Sequence, residues 1–368
     1  MSTSFVDACV ETTAGSAQRV QKHSGGRAKA RRLLRALAGK QRVLVTTHMH
    51  PDPDALASII AMRHLLRQCL PTGTKVELAV KGQIGGGINE AFTRYVKLDA
   101  LPWDQTLNLG DFDAVVLLDV QPNFAYSPLP PEVVPTAVID HHRSRGRRPK
   151  WAFCDIRGDV GSVCSIVFSY FMELDVAIPP DLAATLLYGV ESDLAGIAGI
   201  PASLDNMAVS SLTLLADPNL VNQMRFVDLP RSYYVAYAAG LASAMWYDNA
   251  VIAHVGEIDS MEKPAVIADF LLRFDQAQWA LVTATHGKRL ILSLRSQEKD
   301  RSAGDAMKHL LRRLGEGGGH RAKAGGFILL ETGSEAEVER HRKTLRRRLL
   351  RMLKVREARG QRLVPKDG

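Results

Sequence analysis

Four short apolar runs constrain this fold more than any other feature: RVLVTT (Arg42–Thr47), KVELAV (Lys75–Val80), DAVVLLD (Asp113–Asp119) and TAVIDHH (Thr136–His142). Continuous apolar runs of this length suit strands buried on both faces, as in a parallel sheet covered by helices. Helical apolar spacing fills the gaps, in ALASIIAMRHLLRQCL (Ala55–Leu70) and INEAFTRYVKL (Ile88–Leu98). The alternation predicts an α/β fold, a mainly parallel sheet flanked by helices on both faces. Further helices are predicted near Gly161–Glu173 and Asp181–Val190, and from a capping Ser203 towards Leu215.

The stretch DPNLVNQMRFVDLPRSYYVAYAAG breaks this rhythm, and a second pattern begins near Asn249. AVIAHVGEI, WALVTATHG, RLILSLRS and GFILLET read as strands, with GKR as a hairpin turn between the second and third. PAVIADFLLRF, AGDAMKHLLRRL and SEAEVERHRKTLRRRLL read as helices, the last opened by a capping box from Ser334 to Glu337. The predicted organisation is a loose tail (1–25), a first α/β domain (26–225), a linker (226–248), a smaller C-terminal α/β domain (249–353) and a basic tail (354–368).

Composition narrows the setting. No run approaches the ~18–20 uncharged apolar residues of a membrane span, and the N-terminal stretch lacks the apolar core of a secretory signal. The expectation is a cytoplasmic chain with no membrane partner. Cys9, Cys69, Cys154 and Cys164 form no CxxC pair and read as reduced thiols. The net charge is +8, with basic runs such as RAKARRLLR and RHRKTLRRRLL near the two ends. These suit either solvated helix faces or a polyanionic partner, and charge alone does not choose.

Acidic and histidine residues gather where the apolar runs end: His48, Asp52 and Asp54 after the first, Asp119 after the third, and Asp140, His141 and His142 after the fourth. Asp193 follows the helical run LAATLLYGV. Ligands of open parallel sheets bind outside the carboxyl ends of the strands. Carboxylates with imidazoles suit a pair of divalent ions such as Mn²⁺. Two ions about 3.5–4 Å apart need a bridging carboxylate, and Asp119 is placed to be one. Each piece has another reading. Asp52 and Asp54 can cap a helix, Asp119 can begin a turn with Gln121-Pro122, His141-His142 can be a packing pair, and Asp193 a loop residue.

Taken together, these segments resemble the DHH phosphoesterase family. HMHPDPD (His48–Asp54) is similar to its H-x-N-P-D-x-D loop, VVLLD to its second motif, Asp140-His141-His142 to the triplet that names it, and GVESD to its last G-x-x-x-D aspartate. GEGGGHRAKAGG (Gly315–Gly326) and LSLRS (Leu292–Ser296) resemble the glycine signature and substrate strand of the DHH-associated C-terminal domain. The layout is most similar to the NrnA-like branch of oligoribonucleases and 3′-phosphoadenosine 5′-phosphate (pAp) phosphatases.

The resemblance implies two Mn²⁺ ions, for which Mg²⁺ or Co²⁺ can substitute. His48 and Asp52 would hold one; Asp54, His141 and Asp193 the other; Asp119 would bridge. Asp140 would orient ligands and His142 would face the scissile phosphate. Gly317, Gly318, Gly319, His320 and Arg295 would contact substrate. The implied activity is hydrolysis of short RNAs (nanoRNA), of pAp, or of both, to nucleoside monophosphates. A homodimer is left open. The competing readings are a cyclic or linear dinucleotide phosphodiesterase, a family II pyrophosphatase, a RecJ-type exonuclease and a non-catalytic nucleotide-binding regulator. Three departures stand out: His50 replaces the usual asparagine, VQPNF follows Asp119 in place of small hydroxyl residues, and Leu194-Ala195 follow Asp193. The glycine run GQIGGG (Gly82–Gly87) lacks GK[ST] and reads as a loop.

Overall fold

The computed structural model describes residues 29–82, 84, 88–96, 98–142, 151–194, 202–298, 300–319, 321–355 and 359–365. The 1–25 tail, most of the Gly82–Gly87 run, Ala195 and His320 lie outside these residues. The chain forms two compact units. The first takes in the residues up to Gly82, Leu98–Val190 and Ala202–Pro218; the second Gln83–Lys97, Glu191–Pro201 and Asn219 onward.

Six parallel strands build the first unit: β1 (Arg42–Thr46), β2 (Lys75–Val80), β3 (Leu101–Pro102), β4 (Ala114–Leu118), β5 (Ala137–Asp140) and β6 (Phe153–Ile156). Their order is β3-β2-β1-β4-β5-β6. Val43, Leu44 and Val45 of β1 and Val116 to Leu118 of β4 are fully buried, which is why the central strands read as unbroken apolar runs. Helices α1 (Lys29–Ala36), α2 (Pro53–Cys69), α3 (Ile88–Val96), α4 (Val163–Leu174), α5 (Pro180–Leu194), α6 (Ser203–Leu215), α7 (Pro218–Arg225) and α8 (Arg231–Ser243) follow in the chain, with α3, α7, α8 and the last turn of α5 in or entering the second unit. α2 packs on β1, β2 and β4, and α4 packs on β5 and against α1, α2 and α6. The opposite face is covered chiefly by loop residues, Trp103, Leu107, Phe112, Phe124 and Val133, over Leu44, Val115 and Leu117.

Several local expectations change. β6 was not visible as an apolar run because it carries Asp155. That carboxylate is buried and takes hydrogen bonds from Tyr170 Oη (2.7 Å), Arg157 Nη2 (2.8 Å) and Lys29 Nζ (3.0 Å). Ser203 does not cap α6: it is the first helical residue, and the capping position, Ala202, makes no side-chain bond. Asp205 instead accepts from Gly161 N at 2.8 Å. α5 runs past its apolar stretch to Leu194, so Asp193 sits inside the helix rather than after it. The polar last turn is held on the outside, where Glu191 pairs with the Arg225 guanidinium.

The second unit has strands β7 (Met245–Tyr247), β8 (Ala250–Glu257), β9 (Trp279–His286), β10 (Arg289–Ser296), β11 (Glu316–Gly319), β12 (Lys323–Leu329) and β13 (Gln361–Arg362), in the order β11-β12-β10-β9-β8-β7-β13. Only β8 and β9 run parallel. Its further helices are α9 (Lys263–Leu271), α10 (Ala303–Leu311) and α11 (Glu335–Leu353). Alternation along β9 feeds two cores. Trp279 and Leu281 meet Met307, Leu345 and Leu349 of α10 and α11, while Ala280 and Val282 meet Ile267 and Leu271 of α9. The stretch 226–248 holds α8 and β7.

The capping box on α11 is half formed. Ser334 Oγ accepts from Glu337 N at 3.3 Å. The Glu337 carboxylate does not return to Ser334 N; it takes the backbone N–H groups of Glu331, Thr332 and Gly333 and the Thr332 hydroxyl. Those bonds hold its pKa down, to about 2. Among the described residues no helix is long and apolar enough to cross a membrane.

Candidate metal centre

Strand order reverses between β1 and β4: the chain moves from β1 outward to β2 on one side and from β4 outward to β5 on the other. Loops leaving the carboxyl ends of two such strands part in opposite directions and open a crevice. His48 to Asp54 leave β1 there, Asp119 ends β4, and Asp140 to His142 end β5. Asp119 N still bonds Ile139 O (2.9 Å), but its backbone turns to φ 59°. That left-handed conformation is strained for most residues and tolerated by aspartate, and it ends the strand at the ligand itself.

Asp119 is 2% exposed and lies among three imidazoles. His141 Nε2 is 3.2 Å from its Oδ1, His142 Nδ1 is 3.5 Å from the same oxygen, and His48 Nε2 is 3.5 Å from Oδ2. His48 Nε2 is also 4.0 Å from Asp52 Oδ1. The far nitrogens settle the tautomers. His48 Nδ1 faces Met49 O at 2.9 Å and His141 Nδ1 faces Val160 O at 3.3 Å. A carbonyl only accepts, so each Nδ1 carries a proton, and each Nε2 faces the carboxylate across a position that a metal ion or a second proton fills. Asp119 Oδ1, buried and with no hydrogen-bonding partner among the described residues, marks the same place. Without a metal, a proton takes that role at His48. Burial works to lower the His48 pKa, but the Asp119 and Asp52 carboxylates override it and raise it to about 9. Burial would likewise raise Asp119, and the His141 and His48 imidazoles hold it well below the usual carboxylate range.

Three donor groups overlap here: His48, Asp52 and Asp119; Asp119, His141 and His142; and Asp54, His141 and Asp193. Within each, ligand atoms lie within 4.8 Å of one another. Hard carboxylate oxygens mixed with imidazole fit a divalent ion of the Mn²⁺ kind. Asp52 keeps its capping role as well, accepting from Ala55 N at 3.0 Å. Asp193 is placed by helix packing. A Cβ on Gly189 would stand 2.7 Å from Cys164 Sγ and 2.9 Å from Ala57 Cβ, so only glycine lets α5 approach α2 and α4 this closely. Asp193 lies one turn further along the same unbroken helix.

Asp54 has a second duty that its sequence position does not reveal. It is fully buried, and its carboxylate accepts from Ser162 Oγ (2.7 Å), Val163 N (2.8 Å) and Cys164 N (3.0 Å). It thereby serves the first N–H groups of α4, whose own capping residue, Ser162, makes no side-chain bond to that helix. Gln121 was also missed. It is fully buried, and its Nε2 donates to Asp140 Oδ2 (2.6 Å) and to His142 O (3.1 Å). The other Asp140 oxygen takes His142 Nδ1 at 2.6 Å. Gln121 thus fixes Asp140, and Asp140 fixes the His142 ring. The unusual VQPNF segment was the only sequence signal for it.

The substrate residues assigned to the second unit fare differently. Arg295 is neither an exposed strand-end residue nor an open phosphate ligand. It is 9% exposed, and its guanidinium grips Asp269 through Nε (2.6 Å) and Nη2 (3.3 Å) while Nη1 reaches Ser293 Oγ (2.9 Å). The glycines of GGGH form β11, an edge strand, not a free turn. Gly319 has φ 149°, and a Cβ there would stand 2.3 Å from Lys323 O; one on Gly317 would stand 2.5 Å from Leu311 Cδ1. Sheet packing therefore accounts for both, whereas a Cβ on Gly318 would meet only Lys308 Cε at 3.7 Å. His50 joins none of the donor groups; its backbone adopts φ 56°, a conformation that asparagine accepts readily.

Residues 42–190 match the DHH family, N-terminal domain. Over that span the chain is similar to the DHH family. Over 293 residues, 79% of this chain and 59% of the other, the sequence is 27% identical to an uncharacterized protein of Methanocaldococcus jannaschii. Over 158 residues it is 32% identical to a probable manganese-dependent inorganic pyrophosphatase of Streptococcus mutans, spanning 41% of this chain and 48% of that protein. The chain thus covers less than two thirds of either relative. The crystal structure of an exopolyphosphatase-related protein from Bacteroides fragilis superposes with a TM-score of 0.68 at 17% identity, covering 89% of this chain and 97% of that one. At such identity the likeness is one of fold. The DHH triplet, Asp140-His141-His142, closes β5 within the matched span.

Proposed function

We propose that the chain is a divalent-metal-dependent phosphoesterase that hydrolyses short oligoribonucleotides, pAp, or both, with Mn²⁺ as its preferred ion. One observation carries the reading: Asp119 belongs to both the His48–Asp52 group and the His141–His142 group, and His141 in turn belongs to the group with Asp54 and Asp193, so one carboxylate stands beside donors for two cations. His48 and Asp52 would hold one ion, Asp54, His141 and Asp193 the other. When bound, such a pair lowers the pKa of a water and offsets charge on phosphoryl oxygens. The rest falls to this chain's own side chains. Asp119 keeps the two imidazoles turned to one point. Asp140 commits His142 Nδ1, so proton exchange with a substrate oxygen falls to His142 Nε2. The pyrophosphatase relative supports both the choice of Mn²⁺ and a second reading, in which pyrophosphate is the substrate. A turnover panel in Mn²⁺ with a dinucleotide, a five-nucleotide RNA, pAp, c-di-AMP and pyrophosphate tests the proposal. Fastest turnover of the dinucleotide, the short RNA or pAp supports it; turnover of pyrophosphate alone replaces it with the second reading, and turnover of none removes it.

Gln121 gives a further check. Gln121→Leu keeps the buried volume but removes the donor to Asp140. Loss of such supporting bonds costs about 10- to 100-fold in activity. Steady-state kinetics beside a thermal melt should show kcat falling by that factor with KM little changed, and a Tm lowered by the loss of a hydrogen bond to a buried carboxylate. An unaltered kcat would contradict the Gln121–Asp140–His142 chain of contacts.

A further inference from the structure

We propose that Tyr126 is an aromatic platform on which a nucleobase of the substrate stacks, which would make base-bearing substrates preferred over bare phosphates. The inference rests on the phosphoesterase reading above and narrows its substrate class. The ring stands beside the candidate metal centre: its centroid is 5.9 Å from that of His48 and 6.3 Å from that of His142. It is 40% exposed, although it lies beside a largely buried set of charged groups. Phe124 supports it from the side, with centroids 5.5 Å apart and planes tilted by 52°.

The segment carrying the ring is fixed. Phe124 N bonds Gln121 O (3.0 Å), Ser127 N bonds Phe124 O (2.9 Å), and Met49 N bonds Tyr126 O (2.8 Å). The last bond ties this loop to the one that carries His48 and Asp52. A phosphate held at the donors would therefore bring its own nucleoside within about one nucleoside length of a ring that does not need to be ordered first. Every base has a π-face and stacks on such a ring with little regard to sequence, whereas pyrophosphate and polyphosphate have nothing to stack. The hydroxyl is not required: burial, then the carboxylates of Asp140, Asp119 and Asp52, raises its pKa, and it stays neutral.

The test compares wild type, Tyr126→Ala and Tyr126→Phe on a dinucleotide and on the same backbone without bases. Base–aromatic stacking corresponds to about 10- to 100-fold. Tyr126→Ala should lower the ratio of kcat/KM for the dinucleotide over the abasic analogue by that factor, mainly through KM. Tyr126→Phe should hold the ratio within about threefold, since the ring remains. A parallel calorimetric titration with adenosine 5′-monophosphate in Mn²⁺ should show the same loss in affinity for Tyr126→Ala and its recovery in Tyr126→Phe. An equal fall for both substrates, or no fall in either measurement, overturns the platform. If wild type turns over neither substrate, the oligoribonucleotide part of the proposed function fails, and the titration still decides the fate of Tyr126.

Discussion

Asp119→Asn leaves a folded protein that has lost Mn²⁺-dependent hydrolysis by about 10³-fold or more, the scale expected when a charge-stabilising group is removed from a reaction centre. Asparagine is the informative substitution because Asp119 sits at φ 59°. Asn tolerates that conformation, whereas alanine there adds backbone strain of about 1 kcal/mol or more. The amide also fills the same buried volume. What it removes is the negative charge that three imidazoles face at 3.2 to 3.5 Å. The fold should survive at a lower Tm, because the buried pairing of Asp119 with His48 and His141 is lost, while the turnover disappears. Near-normal turnover in Asp119→Asn would end the bridging assignment.

Asp54→Ala has a different signature. Its carboxylate serves Ser162 Oγ, Val163 N and Cys164 N, all in the buried junction between α2 and α4. A hydrogen bond to a charged group contributes about 1.5–3 kcal/mol, and an orphaned buried donor costs ~1–3 kcal/mol. Loss of all three should destabilise the first unit by roughly 3–6 kcal/mol, allowing for partial rehydration. In a domain of this size that corresponds to a drop in Tm of about 10 °C or more. Thermal and urea unfolding measure it directly. A melt within a few degrees of wild type would show that water replaces the carboxylate at the α4 terminus. Activity lost in Asp54→Ala says little about metal binding, because the same carboxylate holds the helix; Asp119 is the residue that isolates the chemistry.

The contrast between these two aspartates shows what the sequence makes legible. β1 and β4 are central and buried, so their apolar runs are unbroken and their ends define the candidate loops. β6 lies at the sheet edge and carries Asp155, and β11 is largely glycine, so neither has the pattern of a strand. α8 falls where the chain's rhythm breaks, in a stretch whose residues pack within the second unit rather than forming a connection. Residue types mark His48, Asp52, Asp119 and His141 as candidates, because carboxylates and imidazoles at strand ends have few other uses in common. Partners are not marked in this way. Ser162 meets Asp54 across 108 positions and Gln121 meets Asp140 across 19, and nothing local to either residue announces the contact. Arg295 is the reverse case: its setting in LSLRS suggests phosphate, but Asp269, 26 positions earlier, already occupies its guanidinium.

The most direct measurement is the anomalous scattering of Mn²⁺ in crystals of the full chain. The expected result is two peaks about 3.5–4 Å apart with the Asp119 carboxylate between them, one beside His48 and Asp52 and the other beside His141. A single peak, or two that do not share Asp119, would contradict the two-ion centre on which the proposed function depends.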